Sequence, residues 1–174
     1  MAPGVPHTPI PMKKLLLPIL LAAGSFLALA QDPKPAAPAA PAAPAAAAVE
    51  LTLGVIPNVM KYDKAELTVK AGAKVKLIFK NEKCALMHNF LLLKPGTRDA
   101  VGALADKMLA DPQAMAKQYC PQTEDILVKG NKLLAIGQTD IIEFTAPAKP
   151  GDYPYICTFP GHWRLMNGVL KVTE

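Results

Sequence analysis

Residues 155–168 read YICTFPGHWRLMNG, and this stretch constrains the fold and the chemistry of the chain more than any other. It carries a thiol, an imidazole and a thioether on one short segment, at Cys157, His162 and Met166. These soft to borderline ligands suit copper that cycles between two oxidation states. A proline and a glycine stiffen and turn the segment, so the thiol and the imidazole can reach one point. The stretch therefore predicts a copper site built largely from one loop.

A blue copper site combines one cysteine and two histidines with a long axial methionine, so a second histidine is required. The chain has three histidines, and His7 precedes an apolar N-terminal run. His88 is therefore the second candidate. Taken singly, each residue has an ordinary explanation, since methionine and cysteine pack well in cores. The four together predict a metal centre.

A zinc site is the alternative metal centre. Three residues separate Cys84 from His88 and four separate Cys157 from His162, and two cysteines with two histidines form a familiar zinc set. If the first pair is extended at roughly 3.3 Å per residue, its α-carbons lie about 13 Å apart, too far to share one metal easily. Zinc would also leave Met166 unexplained. Copper is therefore favoured.

Two motifs resemble those of one protein family. The stretch CTFPGH at 157–162, with Leu165 and Met166 following, resembles the ligand loop of azurins and auracyanins, which are cupredoxins related to plastocyanin. The stretch MHNF at 87–90 resembles their upstream histidine motif. The resemblance covers roughly residues 50–174 and implies an all-β Greek-key β-sandwich with a single type 1 copper. The ligands that it implies are His88, Cys157, His162 and Met166.

The resemblance also implies a supporting role for Asn89. This side chain would hold the two ligand-bearing segments together and hydrogen-bond near the sulfur of Cys157, which tunes the reduction potential. The chain departs from azurins at Met87, where they have a glycine whose carbonyl makes a weak fifth contact. In a regular strand the Met87 side chain points away from the face that carries His88, so we expect it to pack.

Alternating hydrophobic residues and turn signals predict an all-β domain. Residues 74–80, KVKLIFK, alternate as a strand does when one face is buried and the other exposed. Pro95-Gly96 and Pro150-Gly151 mark turns. Short strands joined mostly by short loops are typical of a β-sandwich. The predicted strands are 50–56, 66–69, 74–79, 88–93, 140–144, 153–157 and 169–172.

One segment departs from this pattern. Asp111-Pro112 resembles an N-cap and first-turn pair that opens a short helix. An earlier helix is indicated by apolar residues at helical spacing. These are Val101, Leu104, Ala105 and Met108. We therefore expect a helical insertion at about residues 97–120, beside the sandwich.

The N-terminus predicts export. Two lysines precede an apolar run at 15–29, and Ala28-Leu29-Ala30 indicates cleavage before Gln31, so residues 1–30 are typical of a secretory signal peptide. Residues 1–11 lie ahead of a second methionine, Met12, which we interpret as the natural start of the protein. An uncleaved membrane anchor is the alternative, although a transmembrane helix needs about 20 apolar residues. We therefore expect a periplasmic or otherwise extracytoplasmic protein.

A proline–alanine tract separates the N-terminus from the folded domain. Residues 31–48 contain nothing large to bury and predict an extended linker. The domain that resembles cupredoxins is then expected at 49–174. The formal net charge is +5, and lysines are scattered without interleaved aromatics, which argues against nucleic acid as a partner.

The cysteine count is odd. Three cysteines in an exported protein leave a thiol that needs a chemical role. We expect a disulfide between Cys84 and Cys120, which leaves Cys157 as the free thiolate for copper. Two buried free thiols are the alternative.

These observations predict a protein that carries single electrons between a donor and an acceptor redox protein and is not an enzyme. An oxidase or nitrite reductase would need a second copper centre with several more histidines. The alternative function is a copper-binding module for storage or delivery, although the chain lacks exposed methionine-rich or histidine-rich tracts. The linker would also permit tethering to a membrane or a larger complex.

We expect the electron to leave through His162. A largely apolar contact surface, in which only Arg164 is charged, would surround it, since exposed apolar patches mark contact sites. Its apolar members would be Phe159, Pro160, Trp163 and Leu165. The mild net charge favours brief, apolar docking over long-range steering. The alternative is that Trp163 belongs to the core.

Overall fold

The computed structural model describes residues 47–174. The predicted signal peptide at 1–30 and all but the last two residues of the predicted linker at 31–48 lie outside the described residues. The described part forms eight strands, one α-helix and one short 3₁₀-helix. The strands are β1 (Val49–Gly54), β2 (Glu66–Lys70), β3 (Lys74–Asn81), β4 (Leu91–Leu93), β5 (Ile126–Lys129), β6 (Gln138–Thr145), β7 (Gly151–Ile156) and β8 (Asn167–Thr173).

The eight strands form two sheets. The three-stranded sheet has the order β1-β3-β6, with β1 parallel and β6 antiparallel to β3. The five-stranded sheet has the order β2-β8-β7-β4-β5, in which β2 is parallel to β8 and the other pairs are antiparallel. The connection from β7 to β8 is the stretch that carries the predicted ligands, so that loop joins two neighbouring strands of the larger sheet.

The core lies between the sheets. Along β3 the side chains alternate as predicted, with Val75, Leu77 and Phe79 buried and the residues between them at least partly exposed. These three belong to one hydrophobic cluster with Leu92 and Leu170 of the five-stranded sheet. The predicted β-sandwich is therefore confirmed, and its buried faces follow from the two-residue period of each strand.

The helical insertion is present but contains fewer helical residues than predicted. Helix α1 spans Arg98–Lys107, and the 3₁₀-helix spans Met108–Ala110. The expected second helix after Asp111 is wrong, because residues 112–119 form successive turns. The backbone of Gln118 and Tyr119 is left-handed, with φ of 56° and 52°, and this conformation does not continue a right-handed helix. The helices in the described part of the chain are all too short or too polar to span a membrane.

The segment around the upstream histidine also differs from the predicted strand at 88–93. Regular strand occupies only Leu91–Leu93, and His88 instead forms an isolated bridge with Leu134. Strand β5 (Ile126–Lys129) pairs with β4 and was not predicted. It has only four residues, and so short a strand depends on its neighbours more than on its own propensity.

Candidate metal centre

Three side chains that bind metals in many proteins meet in the interior of the domain. The ligand atoms of His88, Cys157 and His162 all lie within 4.8 Å of one another. The sulfur of Cys157 lies 3.5 Å from Nδ1 of His162 and 3.9 Å from Nδ1 of His88. All three residues are buried, with at most 2% of their surface exposed. The fold therefore brings together the three predicted nitrogen and sulfur ligands.

The loop between β7 and β8 closes on itself through backbone hydrogen bonds. The N–H of Cys157 donates to the carbonyl of Met166 at 3.1 Å, and the N–H of Met166 donates to the carbonyl of His162 at 2.7 Å. The N–H of His162 donates to the carbonyl of Phe159 at 3.0 Å. Gly161 turns the loop with φ of 78°, a left-handed conformation that favours glycine. Met166 is fully buried in the same cluster as Cys157.

The side chain of Asn89 joins the upstream histidine segment to this loop. Its Oδ1 accepts a hydrogen bond from the N–H of Thr158 at 2.7 Å, and its Nδ2 donates to Oγ1 of Thr158 at 2.9 Å. The same Nδ2 lies 2.9 Å from the carbonyl of Gln118, in the insertion. Buried polar networks of this kind hold one geometry, because leaving a member unpaired is costly. Asn89 thus ties His88 to Cys157.

A second buried amide, Asn81, holds the chain before His88. Its Nδ2 donates to the carbonyls of Leu86 at 2.9 Å and Leu134 at 3.2 Å, and its Oδ1 accepts from the N–H of Cys84 at 3.1 Å. His88 itself exchanges two backbone hydrogen bonds with Leu134, at 3.0 and 2.7 Å. Hydrogen bonds within residues 81–88 and to Leu134, rather than a regular strand, therefore position this histidine.

Comparison with known proteins agrees with this geometry. The family described as copper binding proteins, plastocyanin/azurin family, matches residues 49–173. The chain belongs to this family. Auracyanin-A of Chloroflexus aurantiacus is 36% identical over 163 residues, which cover 94% of this chain and 98% of that protein. Azurin-1 of Alcaligenes xylosoxydans xylosoxydans is 34% identical over 122 residues, which cover 66% of this chain and 91% of that protein.

Solved structures show the same cupredoxin architecture. Auracyanin A, described as a "blue" copper protein from Chloroflexus aurantiacus, matches with a TM-score of 0.65 and 37% identity over 73% of this chain and all of its own. Dithionite-reduced auracyanin of Roseiflexus castenholzii matches with a TM-score of 0.63 and 31% identity over 74% of this chain and all of its own. The likeness extends over the whole of both relatives' solved chains.

The donor set of this cupredoxin suits a single type 1 copper, because it combines a thiol, two imidazoles and a thioether. Burial raises the pKa of the Cys157 thiol to about 12, and hydrogen bonds from the backbone N–H groups of Asn89 and Phe159 act in the opposite direction. A metal binds the thiolate, so metal binding has to displace this proton.

Both imidazoles are neutral near pH 7. Burial lowers the pKa of His88 from 6.5 to about 4, with a further contribution from nearby His162. Burial also lowers the pKa of His162. The two rings lie 5.0 Å apart between centroids. Each can therefore offer a nitrogen lone pair to a metal.

The predicted disulfide between Cys84 and Cys120 is wrong, because both are free thiols. Cys84 belongs to the main core cluster, whereas Cys120 packs in a separate cluster with residues of α1. The sulfur of Cys84 lies 3.2 Å from Nε2 of His88. Since Nδ1 of His88 faces Cys157, its outer nitrogen can donate to Cys84, and such a bond orients a metal-binding ring.

The reason given against zinc also needs correction. Residues 84–88 are not extended, since the side chains at the two ends touch. Cys84 nevertheless meets the outer nitrogen of His88 and stands outside the group formed by His88, Cys157 and His162. Within the described residues the cysteine–histidine pairs therefore do not assemble into one four-ligand zinc site.

Trp163 is not a surface residue, so its predicted place in a partner contact is wrong. It is 8% exposed and packs in the second cluster with Val101 and Ile156. Phe159 is partly buried against the main cluster, and Leu165 is 56% exposed. Of the two apolar residues that flank Arg164, both expected in this surface, only Leu165 faces solvent.

Thiol titration checks the correction of the disulfide. We expect three reactive thiols per chain when the copper-free protein is unfolded without reductant, because all three cysteines are free. A Cys120→Ser variant should then lose one thiol and keep two. A count of one in the unmodified protein would restore the disulfide.

The copper-free protein should become less stable as the pH falls from about 6.5 to about 4. The pKa of His88 is about 4 when folded and ordinary when unfolded, so between these two values His88 gains its proton mainly in the unfolded chain. The contribution of His88 to the free energy of unfolding is therefore fully present above about pH 6.5 and declines as the pH falls below that value. Denaturant titrations across this range measure the slope.

A His88→Gln variant serves as the control, because carboxylates also titrate in this window. Its slope should be shallower than that of the unmodified protein. Equal slopes would show that His88 is not held neutral by burial.

Proposed function

We propose that this cupredoxin carries single electrons between redox proteins outside the cytoplasm. The observation that supports the proposal is the meeting of one thiol and two imidazoles in a buried, hydrogen-bonded pocket. We assign one type 1 copper to this pocket. The assigned ligands are His88, Cys157, His162 and Met166.

When bound, copper supplies a one-electron couple between its two oxidation states. The residues around the pocket limit how far the ligands can move. Asn89 holds the two ligand-bearing segments together, and the loop from Cys157 to Met166 is closed by its own backbone hydrogen bonds. Ligands that keep their positions in both oxidation states need little rearrangement, so an electron can enter and leave quickly.

A carrier fits this pocket better than an enzyme does. Four protein donors leave no strong coordination position for a substrate. An oxidase or nitrite reductase would need further histidines, and the described residues contain only His88 and His162, both of which are assigned to copper.

Storage or delivery of copper fits less well for a different reason. The histidine and cysteine ligands are at most 2% exposed, so a metal acceptor would have to open the loop to reach them. Modules that exchange metal readily would instead benefit from exposed ligands.

Export is proposed from the sequence. The signal peptide at 1–30 supports a periplasmic or other extracytoplasmic location, and cleavage before Gln31 would leave the proline–alanine linker at 31–48 ahead of the domain. Such a linker would keep the domain at a distance from whatever the N-terminus contacts.

The proposed contact surface for redox partners surrounds the ligand loop. Leu165 stands between two assigned ligands and is 56% exposed, and Pro160 is partly exposed. The ring of Phe159 lies 5.0 Å from that of His162 between centroids, so His162 is one side chain away from this surface. An exposed apolar surface with mild overall charge favours brief docking.

The optical and EPR spectra after copper addition test the assigned function. We expect an intense visible thiolate-to-copper band with narrow hyperfine splitting. Cys157→Ser should abolish the colour, because the band belongs to the thiolate, and Met166→Leu should keep the colour and shift the potential, because the axial bond is weak. Cys120→Ser is the matched control and should leave the spectrum unchanged. An unmodified protein that stays colourless would overturn the proposal.

Electron exchange with a partner tests the contact surface. Leu165→Asp should slow exchange while leaving the visible band in place, because it adds a charge to the docking surface without touching a ligand. Ile141→Asp is the control, since Ile141 is similarly exposed, at 51%, on the three-stranded sheet. If the two variants exchange electrons at the same rate, the partner docks elsewhere.

A further inference from the structure

Helix α1 is fastened to the ligand loop through one carboxylate. Oδ1 of Asp106 accepts hydrogen bonds from Nε1 of Trp163 at 3.0 Å and Nη1 of Arg164 at 3.2 Å. Oδ2 of Asp106 accepts from Nη2 of Arg164 at 2.8 Å. The pairing with Arg164 is therefore bidentate, the arrangement with the strictest geometry for an arginine and a carboxylate.

The aromatic ring of Trp163 fills the space between the helix and the loop. One face lies under Arg164, whose Cζ is 4.3 Å from the ring centroid. The ring also lies against the helix at Gly102, one turn before Asp106, where an added Cβ would come within 2.3 Å of Cδ2. A glycine inside a helix costs stability, so its use here is explained by this close approach.

Trp163 and Arg164 stand between His162 and Met166 in the chain. Copper would be held only weakly by a methionine thioether, so the protein itself has to hold the half of the loop that carries Met166. From the β8 side, Nδ2 of Asn167 donates to the carbonyls of Trp163 at 3.3 Å and Arg164 at 3.1 Å. From the helix side, Asp106 binds the same two residues through their side chains.

We propose that Asp106 is a positioning residue of the copper centre, which it reaches through Trp163 and Arg164. The inference rests on the proposed copper function of the same loop. Arg164 is 59% exposed and Asp106 is 33% exposed, so their ion pair contributes little to overall stability. Its effect is on the distance between the helix and the loop, and hence on how His162 and Met166 meet the metal. The helical insertion is thereby part of the metal centre's support.

Three variants of the full chain test this role. Asp106→Ala removes the carboxylate that accepts hydrogen bonds from both Trp163 and Arg164 of the loop. Asp106→Asn keeps an oxygen acceptor for the indole N–H but loses the charge that pairs with Arg164. Asp99→Ala is the matched control, because Asp99 lies on the same helix, is 76% exposed and pairs only with its neighbour Arg98.

With copper bound, Asp106→Ala should alter the EPR spectrum and the reduction potential. It should also weaken copper affinity by about tenfold in competition with a chelator, the lower end of the range for groups that orient metal ligands. Asp106→Asn should lie between Asp106→Ala and the unmodified protein. Asp99→Ala should match the unmodified protein. A change in the EPR spectrum recorded well below the unfolding temperature separates positioning from a loss of stability.

The copper-free protein provides an independent readout. The chain has one tryptophan, so its indole N–H gives a single assignable NMR signal. That signal should shift and exchange with solvent faster in Asp106→Ala than in Asp99→Ala. A protein that binds no copper at all would refute the proposed function. A blue protein in which Asp106→Ala has the unmodified EPR spectrum and copper affinity would refute this inference alone.

Discussion

The metal centre depends on one buried amide. Asn89 and Thr158 are 69 residues apart, and the two hydrogen bonds between them join the segment that carries His88 to the loop that carries Cys157. A sulfur and a nitrogen can share a metal only if their separation is fixed to a fraction of an ångström, and neither residue lies within a strand of the two sheets. His88 lies before β4 and Cys157 lies just after β7. The amide supplies the constraint that the strands leave open.

Burying so many polar groups is tolerable because each one is paired. Within the described residues, every buried side-chain nitrogen and oxygen has a hydrogen-bond partner. The hydroxyl of Tyr62, for example, donates to the carbonyl of Asn89 at 2.8 Å. An unpaired buried group costs about 1–3 kcal/mol, so any rearrangement that separates these partners is disfavoured. The same network that satisfies the polar atoms therefore also restricts the ligands to one arrangement.

The parts of the protein that could be predicted are those whose information is local. The ligand loop has its chemistry within ten residues, from Cys157 to Met166, and β3 shows its buried face in its own alternation. The side chains that were misjudged depend on residues far away in the chain. Trp163 is buried because it packs against Gly102 and bonds to Asp106. Cys84 faces His88 in a segment that the backbone of Leu134 holds, through its hydrogen bonds to Asn81 and His88. An odd number of cysteines suggests that two of them pair. The count does not say how far apart their sulfur atoms lie, so it could not show whether a disulfide forms.

The pKa shifts of the ligands show that the pocket disfavours charged side chains. Burial lowers the pKa of His88 to about 4 and raises that of Cys157 to about 12, so in each case the pocket favours the neutral form. Both shifts follow from removing a charged group from water into a less polarisable interior. A thiolate with Cu(I) has no net charge, whereas a thiolate with Cu(II) has one positive charge. The same burial that keeps the imidazoles neutral would therefore favour the reduced state of a copper ion held by these ligands.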